Sequence, residues 1–311
     1  MFESIKNGWK LIKESFNVFN RYPKFVVPLL GVWLIYAPVI LYLKFWLNVD
    51  DYTTFQLFSI IIAVIFLFTF LLSFSCSVLL ELVQQLESEQ DLSLSKSLKS
   101  TFGHNIIRML PIMIVWTIIW FILLLIQALL SKDRKHEKTS FSAENAARAI
   151  AGYREFSFSA AFFEALQKGV RMVVFLILPA IAWDNLGFWQ ATKKGLLVFR
   201  TNLTEFVTGF VTTGFVATVV FLPPAIIFAL SEGDNPIVFP NWVWSVTLIY
   251  LAFAWSYSLY FEQMFTAQLY LWNSKWEKAV AKAQLESRPL PALKDIPQPS
   301  ILDNIPELTA T

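Results

Sequence analysis

Five stretches of this sequence are apolar and long enough to cross a membrane as helices. They cover residues 25–47, 55–82, 109–130, 206–230 and 242–265. At about 1.5 Å per residue, roughly 20 apolar residues in a helix cross a hydrocarbon core of about 30 Å. Because lipid offers no hydrogen bonds to the backbone, such stretches predict transmembrane α-helices, and they exclude a soluble enzyme.

A sixth span is predicted over residues 164–184. Its apolar run, Met172 to Trp183, is too short by itself and reaches membrane length only if Glu164, Lys168 and Arg171 lie at membrane depth. The whole chain is 56% hydrophobic and 16% aromatic, which is more apolar surface than a soluble core of 311 residues hides. We therefore predict an all-α polytopic membrane domain with six transmembrane helices over residues 1–275.

Amphipathic segments precede alternate spans. In residues 2–20 apolar side chains recur every three or four positions, with Lys6, Lys10 and Lys13 on the opposite face. Similar segments cover residues 92–107 and 186–200. Basic helices that also carry Phe or Trp suit the headgroup layer, so we predict interfacial helices. The order of interfacial helix, outward span and inward span predicts a three-unit internal repeat; the alternative is a set of ordinary basic connectors.

The distribution of Lys and Arg indicates the orientation in the membrane. With six spans, sixteen of these residues fall on one side, while the short turns around Asp50 and between Ser231 and Asn241 have none. The positive-inside rule therefore predicts a multi-pass protein with both termini in the cytoplasm. The exception is the segment from Ser131 to Arg171, which has eight basic residues, and we predict a polar extracytoplasmic loop over residues 131–160.

Three short segments carry a resemblance to known proteins. They are RYPKFVVPLL at residues 21–30, LPAIAWDN at 178–185 and FTAQLY at 265–270. Over about residues 1–275 the chain resembles a family of uncharacterised bacterial six-helix membrane proteins, a domain of unknown function. Its layout is also similar to the membrane domain attached to some glycerophosphodiester phosphodiesterases. The resemblance implies a six-helix fold in a bacterial inner membrane. The chain departs from the family in its polar loop between Ser131 and Phe156 and has no phosphodiesterase domain.

Ionisable residues inside predicted spans are the candidate functional groups, because charge at membrane depth is costly. Glu164, Lys168 and Arg171 follow one another at helical spacing, so they share one face, and Glu164 is placed to pair with Lys168. This polar stripe could line a cavity or bind a lipid headgroup or an anionic solute. The alternative is that the three side chains reach the outer interface and do no chemistry.

A second set of charges lies at the predicted cytoplasmic ends of the spans. We predict that its acidic and basic members form a ring of ion pairs that orients the helices. A cation or proton gate is the alternative interpretation. The members of this predicted charge ring are Glu81, Asp184, Glu262, Arg21, Arg108 and Arg200.

No catalytic, metal or cofactor motif is present in the sequence. His104 and His136 have no second ligand at metal-binding spacing, and Cys76 lies in an apolar run typical of a buried thiol. The net charge of +2 gives no basic footprint for nucleic acid. We therefore expect no cofactor, no nucleic-acid partner and no enzymatic activity.

Residues 276–311 form a proline-rich cytoplasmic tail, in which disorder and a docking strap for a partner are the two interpretations. Our leading functional hypothesis is a non-enzymatic scaffold or accessory subunit of a larger membrane assembly. Its partners would be the lipid bilayer and a protein in the membrane or at its cytoplasmic face. The alternative is a transporter or lipid-handling protein with a polar pathway between its helices, and an intramembrane enzyme comes third.

Overall fold

The fold is an all-helical bundle with six membrane-length helices. The computed structural model describes residues 2–48, 51–87, 92–130, 142–151, 158–232 and 235–302. Six helices in these ranges are long and apolar enough to cross a membrane, which confirms the predicted number of spans, including the fourth. The helices are α1 (Phe2–Arg21), α2 (Val27–Phe45), α3 (Thr54–Glu87), α4 (Leu94–Ser100), α5 (Ile106–Leu130), α6 (Ala143–Ala151), α7 (Phe158–Ala182), α8 (Phe188–Thr201), α9 (Leu203–Leu230) and α10 (Asn241–Leu285).

Helix α10 is the centre of the bundle. It is 45 residues long, and every residue from Ser256 to Asn273 is buried. Large aromatic side chains fix its position: the Trp255 ring packs edge-on against Trp33 of α2 at 5.1 Å and against Phe68 of α3 at 5.5 Å. Such ring pairs stabilise a helix contact beyond the area they bury. All other membrane-length helices except α5 pack directly on α10.

The remaining spans surround α10 unevenly. Helices α2, α3, α5 and α7 contact one another in that order and also enclose the main apolar core. Helix α9 lies at the edge, where it packs on α10 and α1, and it hardly touches α7. As a result, a gap remains between α7 and α9 with α10 behind it.

Helices α1, α4 and α8 lie at one end of the bundle, which we call the amphipathic side. Helix α1 is held there by α10: the Tyr260 hydroxyl donates to the Ser15 carbonyl at 2.9 Å, and the Gln268 amide donates to the Ser15 hydroxyl at 3.0 Å. The segment predicted as one interfacial helix over residues 92–107 is shorter, because α4 ends at Ser100 and a π-helical turn over Thr101–Asn105 leads into α5. The element order of one such helix followed by two spans occurs three times, while the repeat itself stays a prediction.

Helix α6 packs against α10 and α2 at the opposite end of the bundle. Arg148 anchors it: the guanidinium bonds Glu144, Glu232 and Ser231 and lies 5.6 Å from the centre of the Trp244 ring. Burial alone would lower the pKa of Arg148, but the two carboxylates outweigh burial and raise that pKa above its usual value. The rest of the predicted 131–160 loop, with His136, lies outside the described residues, apart from Ser142 and the start of α7.

The proline-rich tail is ordered against the chain itself as far as Leu302. The indole N–H of Trp276 donates to the Pro291 carbonyl at 2.9 Å, and that of Trp272 donates to the Ile296 carbonyl at 3.0 Å. We call residues 288–302 the C-terminal strap. The disorder interpretation is wrong for this segment, because it makes specific hydrogen bonds and buries Ile301; residues 303–311 lie outside the described part.

Candidate functional site

The gap between α7 and α9 forms a cavity of about 530 Å³ that we call the lateral groove. Helix α7 and helix α9 are its walls, and α10 is its floor. Because α9 lies at the edge of the bundle, the groove opens at the side of the protein, where a membrane protein meets lipid. The residues that matter for its chemistry are Lys168, Arg171, Phe210, Gly214, Trp255 and Glu262.

A bidentate ion pair between Arg171 and Glu262 lies at one end of the groove. Arg171 of α7 donates from Nε to Oε2 of Glu262 at 2.7 Å and from Nη2 to Oε1 at 2.9 Å. Both carboxylate oxygens are thereby engaged by one planar guanidinium, which is the strongest geometry for such a pair. Arg171 lies near the middle of the 25-residue α7, so this pair is far from the ends of the helix.

Lys168 is the second cation at the same carboxylate. Its Nζ lies 3.9 Å from Oε1 of Glu262, too far for a hydrogen bond. Its one hydrogen bond within the described residues goes to the Phe210 carbonyl of α9 at 2.8 Å, and it sits 4.7 Å from the centre of the Phe210 ring. Since an ammonium has three donors, Lys168 keeps donor capacity that faces the groove.

Glycine in α9 makes room for Lys168. A Cβ atom built on Gly214 would lie 3.2 Å from Nζ of Lys168, closer than a comfortable contact. A larger residue there would move the ammonium away from its place between α7 and α9. Gly214 is therefore part of the site, although sequence reasoning did not select it; a glycine inside an apolar span was the available signal.

Among the buried and partly buried charged groups of the groove, cations outnumber carboxylates by one; the exposed Glu164 at the rim balances the sum. Two cations face a single carboxylate, and their side chains are 14% (Lys168), 17% (Arg171) and 3% (Glu262) exposed. Glu164 is exposed at the rim and makes no ion pair with Lys168, so the predicted pairing along α7 is wrong. The bidentate pair with Arg171 holds Glu262 next to Lys168. The carboxylate closest to Lys168 is therefore that of Glu262 on α10, and not that of Glu164 on α7.

The other end of the groove is apolar. Ala217 and Phe221 of α9 and Trp255 of α10 line it, one to two helical turns beyond Gly214 and Glu262, with Glu164 of α7 at the rim. The cavity thus combines a charged end with an apolar end, as an amphiphile does. An ionic solute without an apolar part would leave that second end without a matching surface.

The structure brings together two of the three residues of the predicted stripe and one residue of the predicted ring. Lys168 and Arg171 meet Glu262, while Glu164 lines the rim of the same groove without joining the ion pair. The helical spacing along α7 was sufficient to select the two cations. It could not identify Glu262, which lies 91 residues away from Arg171 and belongs to another helix.

Four members of the predicted charge ring have polar partners outside the ring. Asp184 binds Lys194 at 2.5 Å and also accepts from Tyr270, while Asn105 donates to Glu81 at 2.9 Å and Arg108 donates to Asn185 at 2.7 Å. Glu262 binds Arg171, and the ring itself stays a prediction.

Within the described ranges, no group of three His, Cys, Asp or Glu side chains is placed to hold a metal ion. The side chain of His104 and all of His136 lie outside those ranges. Cys76 is fully buried in the core beside α10, as the apolar run around it predicts.

Comparison with known proteins gives no match: no protein-family model fits the chain, and no curated protein or solved structure is significantly similar to it. The resemblance to a bacterial six-helix family therefore stays a prediction. Any function has to be argued from the lateral groove.

Proposed function

We propose that this integral membrane protein binds an amphiphile with an acidic headgroup, which enters the lateral groove sideways from the bilayer. One observation carries the proposal: Lys168 and Arg171 share a single carboxylate beside an open cavity between membrane helices. Buried cations without full compensation are costly and persist where a ligand or function requires them. An anionic headgroup would supply the missing negative charge.

The apolar end of the groove supports an amphiphile over a free anion. An alkyl chain beside Phe221 and Trp255 would stay in an apolar environment while its headgroup meets Lys168. Transferring one CH₂ group from water to an apolar site is favourable by about 0.8 kcal/mol. An acyl chain that moves from lipid into this groove gains little free energy, because both environments are apolar. Selectivity in the proposal therefore comes from the charged end, and the apolar end provides access.

This proposal favours the lipid-handling alternative over the scaffold hypothesis. The scaffold hypothesis relied on the interfacial helices and the tail as surfaces for a partner, and the tail packs on the chain itself: Ser300 donates to Glu14 of α1 at 2.6 Å, and Gln298 donates to the Asn7 carbonyl at 3.4 Å. We further propose binding without catalysis, in a bacterial inner membrane with the amphipathic side towards the cytoplasm. The basic residues of that side support this orientation.

The test is native mass spectrometry of the purified protein in mild detergent with added phosphatidylglycerol or phosphatidylcholine of the same acyl chains. We expect a retained phosphatidylglycerol adduct and little phosphatidylcholine. Lys168→Gln should lose the adduct, whereas Lys282→Gln, which removes an exposed lysine at the far end of α10, should keep it. Equal retention of both lipids by the unchanged protein, or an adduct that survives Lys168→Gln, would overturn the proposal.

A further inference from the structure

The charge of the groove restricts the ligand more than its shape does. Arg171 uses Nε and Nη2 on both oxygens of Glu262, so this guanidinium is largely neutralised before any ligand arrives. Lys168 lines the cavity, approaches the same carboxylate only to 3.9 Å, and uses one of its three donors on the Phe210 carbonyl within the described residues. Inside the groove the Lys168 ammonium is therefore the cation without a close anion, while the exposed Glu164 at the rim brings the sum over the four charged lining residues to zero.

We infer that the lateral groove selects a singly charged phosphodiester headgroup and rejects a doubly charged phosphomonoester. The inference rests on the proposed function and names the ligand class of the same site. One negative charge on the ligand balances Lys168 and leaves the Arg171–Glu262 pair intact. A second negative charge has no cation left and lies close to the Glu262 carboxylate in a poorly solvated site, where like charges repel more strongly than in water.

The charged groups that face the cavity come from two helices. Helix α7 contributes Lys168 and Arg171, with Glu164 at the rim, and α10 contributes Glu262. Helix α3 packs on both α7 and α10, and its fully buried Cys76 thiol is not part of the cavity lining. Helix α9 contributes no ionisable side chain to the lining, and no histidine is part of it within the described residues.

Phosphomonoesters provide a way to change the ligand charge without changing the protein. Their second proton is lost with a pKa of about 6, so phosphatidate carries about one negative charge below that pH and approaches two above it. Phosphatidylglycerol is a phosphodiester and carries one negative charge both below and above that pH. The inference predicts that phosphatidate binds like phosphatidylglycerol in acid and more weakly above neutrality.

The experiment is displacement of a fluorescent phosphatidylglycerol from the detergent-solubilised full chain by unlabelled lipids with matched acyl chains. At pH about 7.5 we expect phosphatidylglycerol to displace the probe about tenfold better than phosphatidate, and at pH about 5 equally well. Stronger binding of phosphatidate at the higher pH, or a ratio that does not change with pH, would overturn the inference. If neither lipid competes better than phosphatidylcholine, the proposed function fails as well.

Glu262→Gln tests the role of the carboxylate, because it keeps the side-chain shape and raises the net charge of the groove by one. Phosphatidate should then compete at least as well as phosphatidylglycerol at the higher pH. Glu286→Gln, at an exposed position near the end of α10, should keep the preference for phosphatidylglycerol over phosphatidate that the unsubstituted protein shows. If Glu262→Gln does not fold, Lys168→Gln replaces it, and tight binding of either anionic lipid by that variant would contradict the inference.

A soluble competitor separates a lipid from a free phosphodiester. Glycerophosphoglycerol has the headgroup of phosphatidylglycerol without its chains, and we expect it to displace the probe only at concentrations at least about a hundredfold higher. Displacement at similar concentrations would mean that acyl chains are not needed to bring the headgroup to the lateral opening, and the amphiphile proposal would fail.

Discussion

Glu262 holds two cations in the interior of the bundle, so its loss should affect stability as well as binding. Removing one partner of a buried ion pair leaves an uncompensated charge and typically costs about 3–5 kcal/mol. We expect Glu262→Leu to lower the free energy of unfolding by about that amount, as measured by denaturant unfolding in detergent. Glu286→Leu, at the exposed end of α10, should change it by less than about 0.5 kcal/mol.

The double variant gives the decisive comparison for this ion pair. Arg171→Met together with Glu262→Leu removes both members of the bidentate pair and replaces them with apolar side chains. Because replacing a whole buried pair is often neutral, we expect the double variant to be more stable than Glu262→Leu alone. If the loss of stability in the double variant equals the sum of the losses in Arg171→Met and Glu262→Leu, the Arg171–Glu262 contact is not a coupled buried pair.

Single residues show clearly what the sequence could and could not predict. Lys168 and Arg171 could be selected because charge inside an apolar helix is rare. Their partner could not, since helical spacing relates residues within one helix and carries no information about which helix packs beside it. The i,i+4 rule favoured Glu164, whereas the structure pairs Lys168 with Glu262 across two helices.

At the scale of helices, the contact between α9 and α10 depends on glycine. A Cβ atom built on Gly209 would lie 2.0 Å from ring atoms of Phe265, so Gly209→Ala must push the two helices apart or rotate the ring. Overpacking of this kind typically costs about 1–3 kcal/mol, and we expect that loss in the free energy of unfolding in detergent. Gly31→Ala is the control, because nothing lies within 4 Å of its Cβ position, and it should be neutral or stabilising.

The C-terminal strap is held to α10 by two indole N–H donors. Trp276→Phe keeps an aromatic ring but removes the donor to the Pro291 carbonyl, a hydrogen bond worth about 1 kcal/mol. We expect faster tryptic cleavage after Lys294, where a loosened strap gives the protease access to the backbone, in a timed digestion of the detergent-solubilised protein. Trp189→Phe changes a tryptophan that is 74% exposed on α8, and it should leave the cleavage rate unchanged; equal acceleration in both variants would contradict this account.

The sequence predicts that a helix is present more reliably than it predicts where that helix begins and ends. Apolar length alone predicts the spans, because a bilayer requires it. Hydropathy places the end of the last span near residue 265, yet α10 continues to Leu285. The extension is stabilised by contacts with the strap, where the Trp272 and Trp276 side chains bond tail carbonyls, and a hydropathy pattern does not report such contacts.

For the whole molecule, the position of the groove could not be predicted from composition. The exposed face of a membrane helix is as apolar as its buried face, so sequence does not tell which helices are central. Helices α9 and α10 are both long apolar spans, but α10 lies in the centre and α9 at the edge. The lateral groove results from that difference, because only an edge helix can leave a gap that opens towards lipid.

The orientation of the whole molecule can be tested with single cysteines in a variant without Cys76, the one native cysteine. Asn235 is exposed between α9 and α10, and Gln284 is exposed near the end of α10, so one span separates them. Because the predicted topology puts sixteen Lys and Arg residues on the side of Gln284, we expect that side to face the cytoplasm. In intact cells of a bacterial expression host, a membrane-impermeant maleimide should label Asn235→Cys, and it should label Gln284→Cys only after the membrane is disrupted. The reverse pattern would place the basic side outside, and labelling of both sites in intact cells would contradict a single orientation.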